Sequence, residues 1–415
     1  MARWLGALGV AASLGAPRLA FAQDAALPNP LRPDQVVAYA RSHRAEITAA
    51  RARAQAAAQV PKTVTALPDP MVMVSLDHLP FKLDGADVSL AVQQDFPLSG
   101  VLGARGRAAE AEARATVADA RTVSLNVEYE ALKAYLMLVE LQRMSSIVDE
   151  QFAVAQQIEA ATRARLSGAE GAAVDVVRAR LDVVRLGGER RAIAAELRSA
   201  AAMLDAALGR PVDGVVPATD LAVPTNEPPA LASLVNQAIA RRPEVLAMRE
   251  RVGRAGAEVD AMRSMYNPMA FVRLGPAYTM ADGPGVMFMV GVSVPIWREK
   301  LGAGVAEANA MVGMANADVA AMRRMVEGEV GSARETVVAA KIRLQTIHGE
   351  LVPLARQSVQ LSLASYGGGQ LPLVSVLDAV NAFRGARMEE VVAEVKLASA
   401  WARLGRAVGI VKVGA

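Results

Sequence analysis

Two very long stretches of the chain carry apolar residues at increments of three and four. In the second stretch the series includes Val319, Met322, Val326, Val330, Ala333 and Val337. This spacing places the apolar side chains along one side of an α-helix, as lengthwise packing on neighbouring helices requires. We therefore predict uninterrupted helices over residues 98–166 and 296–365, each of about 70 residues and roughly 100 Å.

Four shorter segments alternate apolar and polar residues with a period of two, which is typical of β-strands. They form two predicted hairpins, over residues 71–96 and 269–295. One parity is apolar and comprises Val72, Val74, Leu76, Val88, Leu90, Val92, Ala270, Val272, Leu274, Phe288, Val290, Val292 and Val294. The other parity includes Ser75, Asp77, Ser89, Gln93, Asp95, Arg273 and Ser293. An apolar outer face and a polar inner face indicate a transmembrane barrel, and a water-soluble hairpin pair packed on helices is the alternative.

The whole pattern occurs twice. Glu46 and Glu244 lie 198 positions apart, and Pro70 with Pro268 and Pro97 with Pro295 repeat that spacing, which becomes 200 for Gly168 and Gly368. A register kept over so many residue types indicates an internal repeat. We assign repeat 1 to residues 23–209, repeat 2 to 231–409 and a tail to 410–415.

Each repeat is predicted to contain a helix, a hairpin, a long helix, a tight turn and a second helix. The flanking helices cover residues 33–65 and 172–208 in repeat 1, and 231–265 and 372–408 in repeat 2. Each pair matches the length of one long helix, so we expect two short helices, stacked end to end, beside each long one. Residues 210–230 contain five prolines and form the linker between the repeats.

Composition excludes several kinds of chemistry. Hydrophobic residues make up 53% of the chain but aromatic residues only 4%, which favours long helices packed through small side chains. The absence of Cys excludes disulfides and thiolate sites. The three histidines, His43, His78 and His348, lack metal-ligand spacing, and we interpret them as ordinary polar residues. A net charge of +3 without a basic block argues against a nucleic-acid partner.

The first 22 residues have the features of a cleaved export signal. Arg3 precedes an apolar segment over residues 5–14, and Ala20-Phe21-Ala22 resembles a cleavage site. A buried first helix is the alternative interpretation. After residue 22 no stretch is long and apolar enough for a membrane-spanning helix, so we expect any span to be made of strands.

Four strands leave two open sheet edges in each chain. Lipid does not tolerate open edges, because every backbone group in the bilayer must be paired. Closure by several chains would remove the edges, so the strand count itself predicts an oligomer.

These features together resemble the TolC family of outer-membrane efflux proteins. The resemblance rests on the export signal, the two repeats, the Pro-rich linker and the segment Asp95-Phe96-Pro97-Leu98-Ser99-Gly100. The most specific part is Tyr366-Gly367-Gly368-Gly369 followed by Leu373-Val374-Ser375-Val376-Leu377-Asp378-Ala379, which is similar to the family's periplasmic tip. The Leu67-Pro68-Asp69-Pro70 segment and the many Met residues are more similar to the heavy-metal (CzcC-like) branch.

The resemblance implies a mainly α fold with a small β part. Three chains would form a twelve-stranded barrel in the outer membrane, continued by an α-helical barrel across the periplasm. It further implies an exit duct of a tripartite efflux system, without enzymatic activity or cofactor, that works with a periplasmic adaptor (membrane fusion protein) and an inner-membrane pump of the RND type. Heavy-metal cations or small toxic compounds are the expected cargo, and type I secretion or drug efflux is the alternative. A periplasmic coiled-coil adaptor or scaffold is a further alternative, but it would need β-rich domains that this chain lacks.

The resemblance also implies a gate at the periplasmic tip. Asp378 stands at the position of a family pore aspartate, and Asp175 at that of a gate aspartate. Ser375 and Leu371 depart from the family, which has a second pore aspartate and an arginine there. Arg178, the repeat-mate of Asp378, is a candidate substitute cation. We therefore predict that Asp175, Arg178, Tyr366 and Asp378 form the gate.

Methionines occupy inner-face positions of the strands, where polar residues are expected. They are Met71, Met73, Met269, Met287 and Met289. Thioethers are soft ligands suited to Cu(I) or Ag(I), so these residues are candidate metal contacts. With 18 Met in the chain, their use as adaptable apolar filler is the alternative. We find no P-loop, His-Glu-x-x-His, Gly-x-Ser-x-Gly or catalytic triad, and no catalytic residue is predicted.

Overall fold

The structure is a computed structural model that describes residues 27–77, 87–169 and 171–411. The predicted export signal and His78 lie outside these residues. Repeat 1 contains α1 (Pro33–His43), α2 (Ala45–Ala57), α3 (Val60–Thr65), β1 (Met71–Asp77), β2 (Asp87–Pro97), α4 (Val101–Ser167) and α5 (Ala173–Leu208). Repeat 2 contains α6 (Leu231–Arg241), α7 (Pro243–Ser264), β3 (Met269–Thr279), β4 (Gly283–Ser293), α8 (Arg298–Thr346), α9 (Val352–Gly367) and α10 (Leu373–Val408).

The first helix of each repeat is broken, which corrects the predicted single helices over 33–65 and 231–265. Arg44 and Arg242 have extended backbones between consecutive helices. Pro243 accounts for the second break, because the residue before a proline is disfavoured in helical conformation. In repeat 1 there is a further break before α3, where Pro61 lacks the N–H that would continue the helix.

The two long helices differ. α4 is continuous over 67 residues, about 100 Å at 1.5 Å per residue. The segment predicted as a helix over 296–365 is helical from Arg298 to Gly367, but a π-helical turn at Ile347–Leu351 separates α8 from α9. Pro353 explains the turn: it has no N–H, and its ring would clash with the carbonyl of Gly349 in a regular helix.

The shorter helices meet end to end at the breaks. The Nη1 of Arg44 donates to the carbonyls of Ala206 and Ala207, at the C-terminus of α5, at 3.3 and 2.7 Å. Gly209 follows with a φ of +78°, and a Cβ there would lie 3.2 Å from Cδ of Arg44. In repeat 2, Gly409 (φ +95°) packs against Arg242 in the same way. α5 thus continues α2, and α10 continues α7, beside the long helices.

The linker over residues 210–230 contains no helix and is anchored on α4. Tyr135, a fully buried side chain, lies with its hydroxyl within hydrogen-bond distance of the carbonyls of Leu31 (3.0 Å) and Asp220 (2.9 Å). Leu31 and Thr219 form a parallel bridge beside it. The largest buried cluster surrounds this point, so the core lies midway along the long helices.

The four strands form one antiparallel sheet in the order β1-β2-β3-β4. β2 and β3 pair across the two repeats, with Val92 opposite Leu274 and Phe96 opposite Ala270. The sheet therefore joins the repeats at one end of the helices, and the turns between α4 and α5 and between α9 and α10 form the opposite end, here called the tip.

No helix in the described part of the chain combines the length and apolarity needed to cross a bilayer.

Candidate functional site

The sheet separates apolar and polar side chains onto opposite faces. Its register aligns Val72 with Val92 and Val74 with Leu90, and across β3 and β4 it aligns Val272 with Val290. The apolar face is uncovered: Val72 is 69% exposed and Phe288 67%. An apolar face this exposed does not suit a protein surrounded by water on all sides, so this face requires lipid or another apolar surface.

The opposite face, here called the inner face, carries a row of paired residues across all four strands that is polar on the two central strands and has methionine on the two edge strands. Met71 pairs with Gln93, Gln93 with Arg273, and Arg273 with Met289. The guanidinium of Arg273 donates to Oε1 of Gln93 at 2.8 Å, and Nε2 of Gln93 donates to Asp95 at 2.9 Å. The candidate metal residues Met71, Met73, Met269, Met287 and Met289 all lie on this face.

Both edges of the sheet are open in the described protomer. β1 pairs only with β2, and β4 only with β3. Met71 and Met73 therefore lie along one free edge, while Met287 and Met289 lie along the other. The outer backbone groups of both strands require partners from another chain if this sheet lies in lipid.

The predicted gate residues lie at the tip, on three helices. Asp175 is in the first turn of α5, where its negative charge stabilises the N-terminus of the helix. Arg178 and Asp378 are exposed. Among the described residues, Asp175, Arg178 and Asp378 form no ion pair with each other or with other side chains. Tyr366 is half-buried and packs against the apolar cluster at the start of α10.

Arginines that the sequence analysis did not single out connect the two repeats near the tip. The guanidinium of Arg165, on α4, lies 4.7 Å from the ring centre of Tyr366, on α9. Arg185, on α5, donates to Asp182 at 2.6 Å and to Asn381, on α10, at 2.9 Å. No motif marks these residues, because their partners are far away in sequence.

The two described histidines are engaged with neighbouring groups. The ring of His43 stacks on Tyr39 at 3.9 Å between ring centres. Nδ1 of His348, in the π-helical turn, lies 2.6 Å from Oε1 of Glu390. Within the described ranges, no three His, Asp or Glu side chains are grouped as a metal site of those ligands requires.

A sheet with one exposed apolar face, joined to long helices of which α4 reaches about 100 Å, is suited to anchoring those helices at a membrane. Residues 234–410 match the Outer membrane efflux protein family. Among curated proteins, the chain is 24% identical over 296 residues to the outer membrane efflux protein BepC of Brucella suis. This match covers 69% of the chain and spans 64% of the length of BepC.

Solved membrane-protein structures share the fold. CusC gives a TM-score of 0.78 at 16% identity, over 91% of this chain and 92% of that one. VceC of Vibrio cholerae gives 0.75 at 16% identity, over 91% and 96%. The open-state MtrE channel of Neisseria gonorrhoeae gives 0.70 at 16% identity, over 91% and 89%.

The predicted resemblance to the TolC family of outer-membrane efflux proteins is therefore confirmed. So is the fold class, a mainly α protein of two tandem repeats with four strands per chain. The matched family, BepC and VceC are all described as outer-membrane proteins, in agreement with the outer-membrane location that the resemblance implies.

Proposed function

We propose that this protein is the exit duct of a tripartite efflux system, a passive conduit from the periplasm to the exterior. The observation that carries the proposal is the sheet, which has an exposed apolar face, a polar inner face and two open edges. Three protomers would close these edges into a barrel of about twelve strands, leaving an aqueous lumen. The helices would continue the lumen toward the tip, where a periplasmic adaptor and an inner-membrane pump, of the RND type, complete the system.

Channel activity in planar lipid bilayers tests this proposal. The purified full-length protein should insert as a heat-modifiable trimer and produce stepwise conductance. A monomer that partitions into the aqueous phase and produces no conductance would instead support a periplasmic scaffold, and would overturn the proposal.

We infer that Asp175, Arg178, Tyr366 and Asp378 act together as the gate once three protomers surround the lumen. Asp378 is exposed and without an ion-pair partner in the described protomer, so three copies would place like charges around a narrow passage. Such a ring attracts cations, and its repulsion favours opening. The half-buried Tyr366, held by Arg165, would set the position of the turn beside it.

Single-channel recording separates the gate from an ordinary charged surface. Asp378→Ala should change conductance and reduce cation preference, because the ring of charges is removed. Glu389→Ala is the matched control, since Glu389 is an exposed carboxylate on the same helix, α10. Unchanged conductance on replacing Asp378 would discard the assignment.

We further propose heavy-metal cations as cargo, with small toxic compounds as the second class. Barrel closure would bring Met71 and Met73 on one edge beside Met287 and Met289 of the next protomer, on the lumen side. Soft thioethers at each of the three seams would then suit Cu(I) or Ag(I).

Tolerance measurements in the host test the cargo. Deletion of the gene should lower silver or copper tolerance, and replacing Met71, Met73, Met269, Met287 and Met289 with Leu should lower it in part. A deletion that lowers drug tolerance only would favour drug efflux, and loss of a secreted protein would favour type I secretion. Unaltered metal tolerance in the five-site variant discards the thioether contacts.

A further inference from the structure

A second group of methionines lies far from the strands, in a cleft between α7 and α8. The cleft has a volume of about 550 Å³ and is lined by five of the 18 methionines in the chain: Met248, Met262, Met265, Met311 and Met314. The thioether of Met248 already has a partner, because Nη1 of Arg251 lies 4.0 Å from its sulfur.

The two helices carry the same eight-residue pattern. α7 and the residue after it carry Glu258-Val259-Asp260-Ala261-Met262-Arg263-Ser264-Met265, and α8 contains Glu307-Ala308-Asn309-Ala310-Met311-Val312-Gly313-Met314. Each pattern places one carboxylate and two thioethers on one side of its helix, because residues three and four positions apart share a face. All six of these side chains line the cleft.

The antiparallel arrangement of α7 and α8 turns the methionines toward each other. A Cβ at Gly304 would lie 3.7 Å from Sδ of Met262, so the side chain of Met262 reaches α8 beside Gly304. Met311 lies seven positions beyond Gly304, about 10 Å along α8. Side chains lean toward the N-terminus of their own helix, so Met262 and Met311 lean toward one another across this interval.

The charges around the cleft favour a cation. Arg254 pairs with Glu258 at 2.8 Å and Glu112 at 3.1 Å, and Arg251 pairs with Asp119 at 2.5 Å. Three other charged residues line the cleft and have no ion-pair partner among the described residues: Glu307, Asp318 and Arg105. Two carboxylates against one guanidinium leave one carboxylate uncompensated. The cleft therefore combines soft sulfur donors with an uncompensated carboxylate.

Packing alone does not explain these methionines. Met265, Met311 and Met314 are 37%, 43% and 55% exposed, so they fill no closed core. The positions 198 residues earlier, in repeat 1, are Leu67, Ala113 and Thr116, and Met262 corresponds to Val64. The same helix pairing thus forms in repeat 1 without sulfur.

We propose that the cleft between α7 and α8 binds a soft monovalent cation, Cu(I) or Ag(I), through the thioethers of Met262 and Met311, with Met265, Met314 and Glu307 at its margins. Soft thioether ligands select such cations over Zn²⁺ or Mg²⁺. The site is distinct from the strand methionines, and binding to purified protein does not depend on transport.

Silver binding to the detergent-solubilised full-length protein tests the proposal. The wild type is incubated with Ag(I), freed of unbound ion and analysed for retained silver, beside Met262→Leu/Met311→Leu and the control Met137→Leu/Met203→Leu. Met137 and Met203 are exposed methionines outside the cleft. Leucine preserves volume, so the trimer band and the circular dichroism spectrum should be unchanged.

We expect the cleft variant to lose about one silver ion per protomer and the control to lose none, because only the cleft variant lacks its soft ligands. The strand methionines are intact in all three proteins, so their contribution cancels. Equal silver in the wild type and the cleft variant would overturn the proposal.

Methionine oxidation gives a second readout. Peroxide should oxidise Met311 and Met314 in the silver-free protein, and silver should protect them, as peptide mass spectrometry would show. If neither residue is oxidised without silver, a neighbouring protomer covers the cleft and the proposal is wrong.

Discussion

At the scale of single residues, Arg44 and Arg242 occupy the same place in the two repeats but different surroundings. The side chain of Arg44 is 18% exposed and pairs with Glu46, which is 54% exposed. That of Arg242 is 3% exposed and pairs with Glu244, at 14%, and with Glu329. Glu244 also accepts a hydrogen bond from Arg406 at 2.7 Å. The ion pairs at the break between α6 and α7 therefore form a buried charge network. The ion pair at the break between α1 and α2 is partly solvated.

Replacing each arginine by methionine should reveal this difference. Arg242→Met removes both of its hydrogen bonds to Glu244 and the ion pair with Glu329, and leaves Glu244 with Arg406. Loss of one partner of a buried pair costs about 3–5 kcal/mol, and we expect a loss of about 3 kcal/mol because Arg406 stays. Arg44→Met removes bonds to a solvated carboxylate and two carbonyls, and should cost about 1–2 kcal/mol. Urea unfolding of the detergent-solubilised protein, followed by helical circular dichroism, measures both. Equal losses would contradict the assignment of a buried network to repeat 2.

The ion pair between Arg44 and Glu46 also predicts that the stability of the protein depends on pH. The hydrogen bonds from Arg44, with help from the backbone, lower the pKa of Glu46 from 4.5 to about 2. A lowered folded-state pKa stabilises the protein above the unfolded pKa, and this stabilisation is lost as the pH falls through the folded value. The stability difference between wild type and Arg44→Met should be constant above pH 4.5 and shrink as the pH falls toward about 2. A difference that stays constant over this range would exclude the pair as its source.

Asp205 is a buried carboxylate at the end of α5 that opposes folding. It is 4% exposed, and its Oδ2 has no hydrogen-bond partner in the described structure. Burial, and then the charge of Asp213, raise the pKa of Asp205 above 3.8, although Arg210 acts in the opposite direction. Since the folded-state pKa is raised, stability falls as the pH rises through that value.

Asp205→Asn removes the charge and should stabilise the protein at pH 7 by about 1 kcal/mol. The gain should disappear below pH 3.8, where the carboxyl is protonated in both states. Thermal unfolding at several pH values measures the effect. A destabilised variant at neutral pH would show that the charge has a favourable partner.

At the scale of elements, the strands were predictable because the alternation of apolar and polar residues directly fixes their faces. The alternation did not indicate the irregularity in β3. Pro276 lacks an N–H, and the paired positions skip from Ala277 opposite Ser89 to Leu274 opposite Val92. At this place β2 approaches so closely that a Cβ on Gly275 would lie 1.9 Å from the carbonyl oxygen of Leu90.

Gly275→Ala should therefore prevent correct assembly of the sheet. The added methyl group would meet backbone, which cannot rotate away, and overpacking of this kind costs about 1–3 kcal/mol or more. Gly285→Ala is the matched control, because no atom lies within 4 Å of a Cβ there. The yield of heat-modifiable trimer in outer-membrane fractions measures both, and normal assembly of Gly275→Ala would contradict the close approach.

Helix breaks were less predictable than strands. Pro353 was a visible signal for the π-helical turn, and the apolar periodicity on both sides of it outweighed that signal in the prediction. Arg44 gives no signal, because the break depends on carbonyls of Ala206 and Ala207 far along the chain. The same reason hides the contacts of Arg185 with α10, since pairings between distant elements leave no local pattern.

At the scale of the whole molecule, a single protomer leaves its sheet without the partners that the sheet needs in a membrane. It presents an apolar face, two unpaired strand edges and an inner face that carries Gln93 and Arg273. Each feature becomes compatible with a membrane only when further chains close the sheet. The two faces then have different requirements, because one contacts lipid and the other contacts water.

Neighbouring residues on β4 distinguish these two requirements. Val290 belongs to the apolar face and is 57% exposed, whereas Met289 lies on the inner face opposite Arg273. Val290→Arg should abolish outer-membrane assembly, because an arginine facing the lipid near the midplane costs about 2–4 kcal/mol per protomer. Met289→Arg should still assemble, because the like charge of Arg273 opposite it costs only about 0.2–1 kcal/mol. It should shift the conductance toward anions, because it adds positive charge to the lumen. Trimer yield and single-channel selectivity measure the two outcomes, and the reverse result would exchange the faces and exclude closure with the apolar side outward.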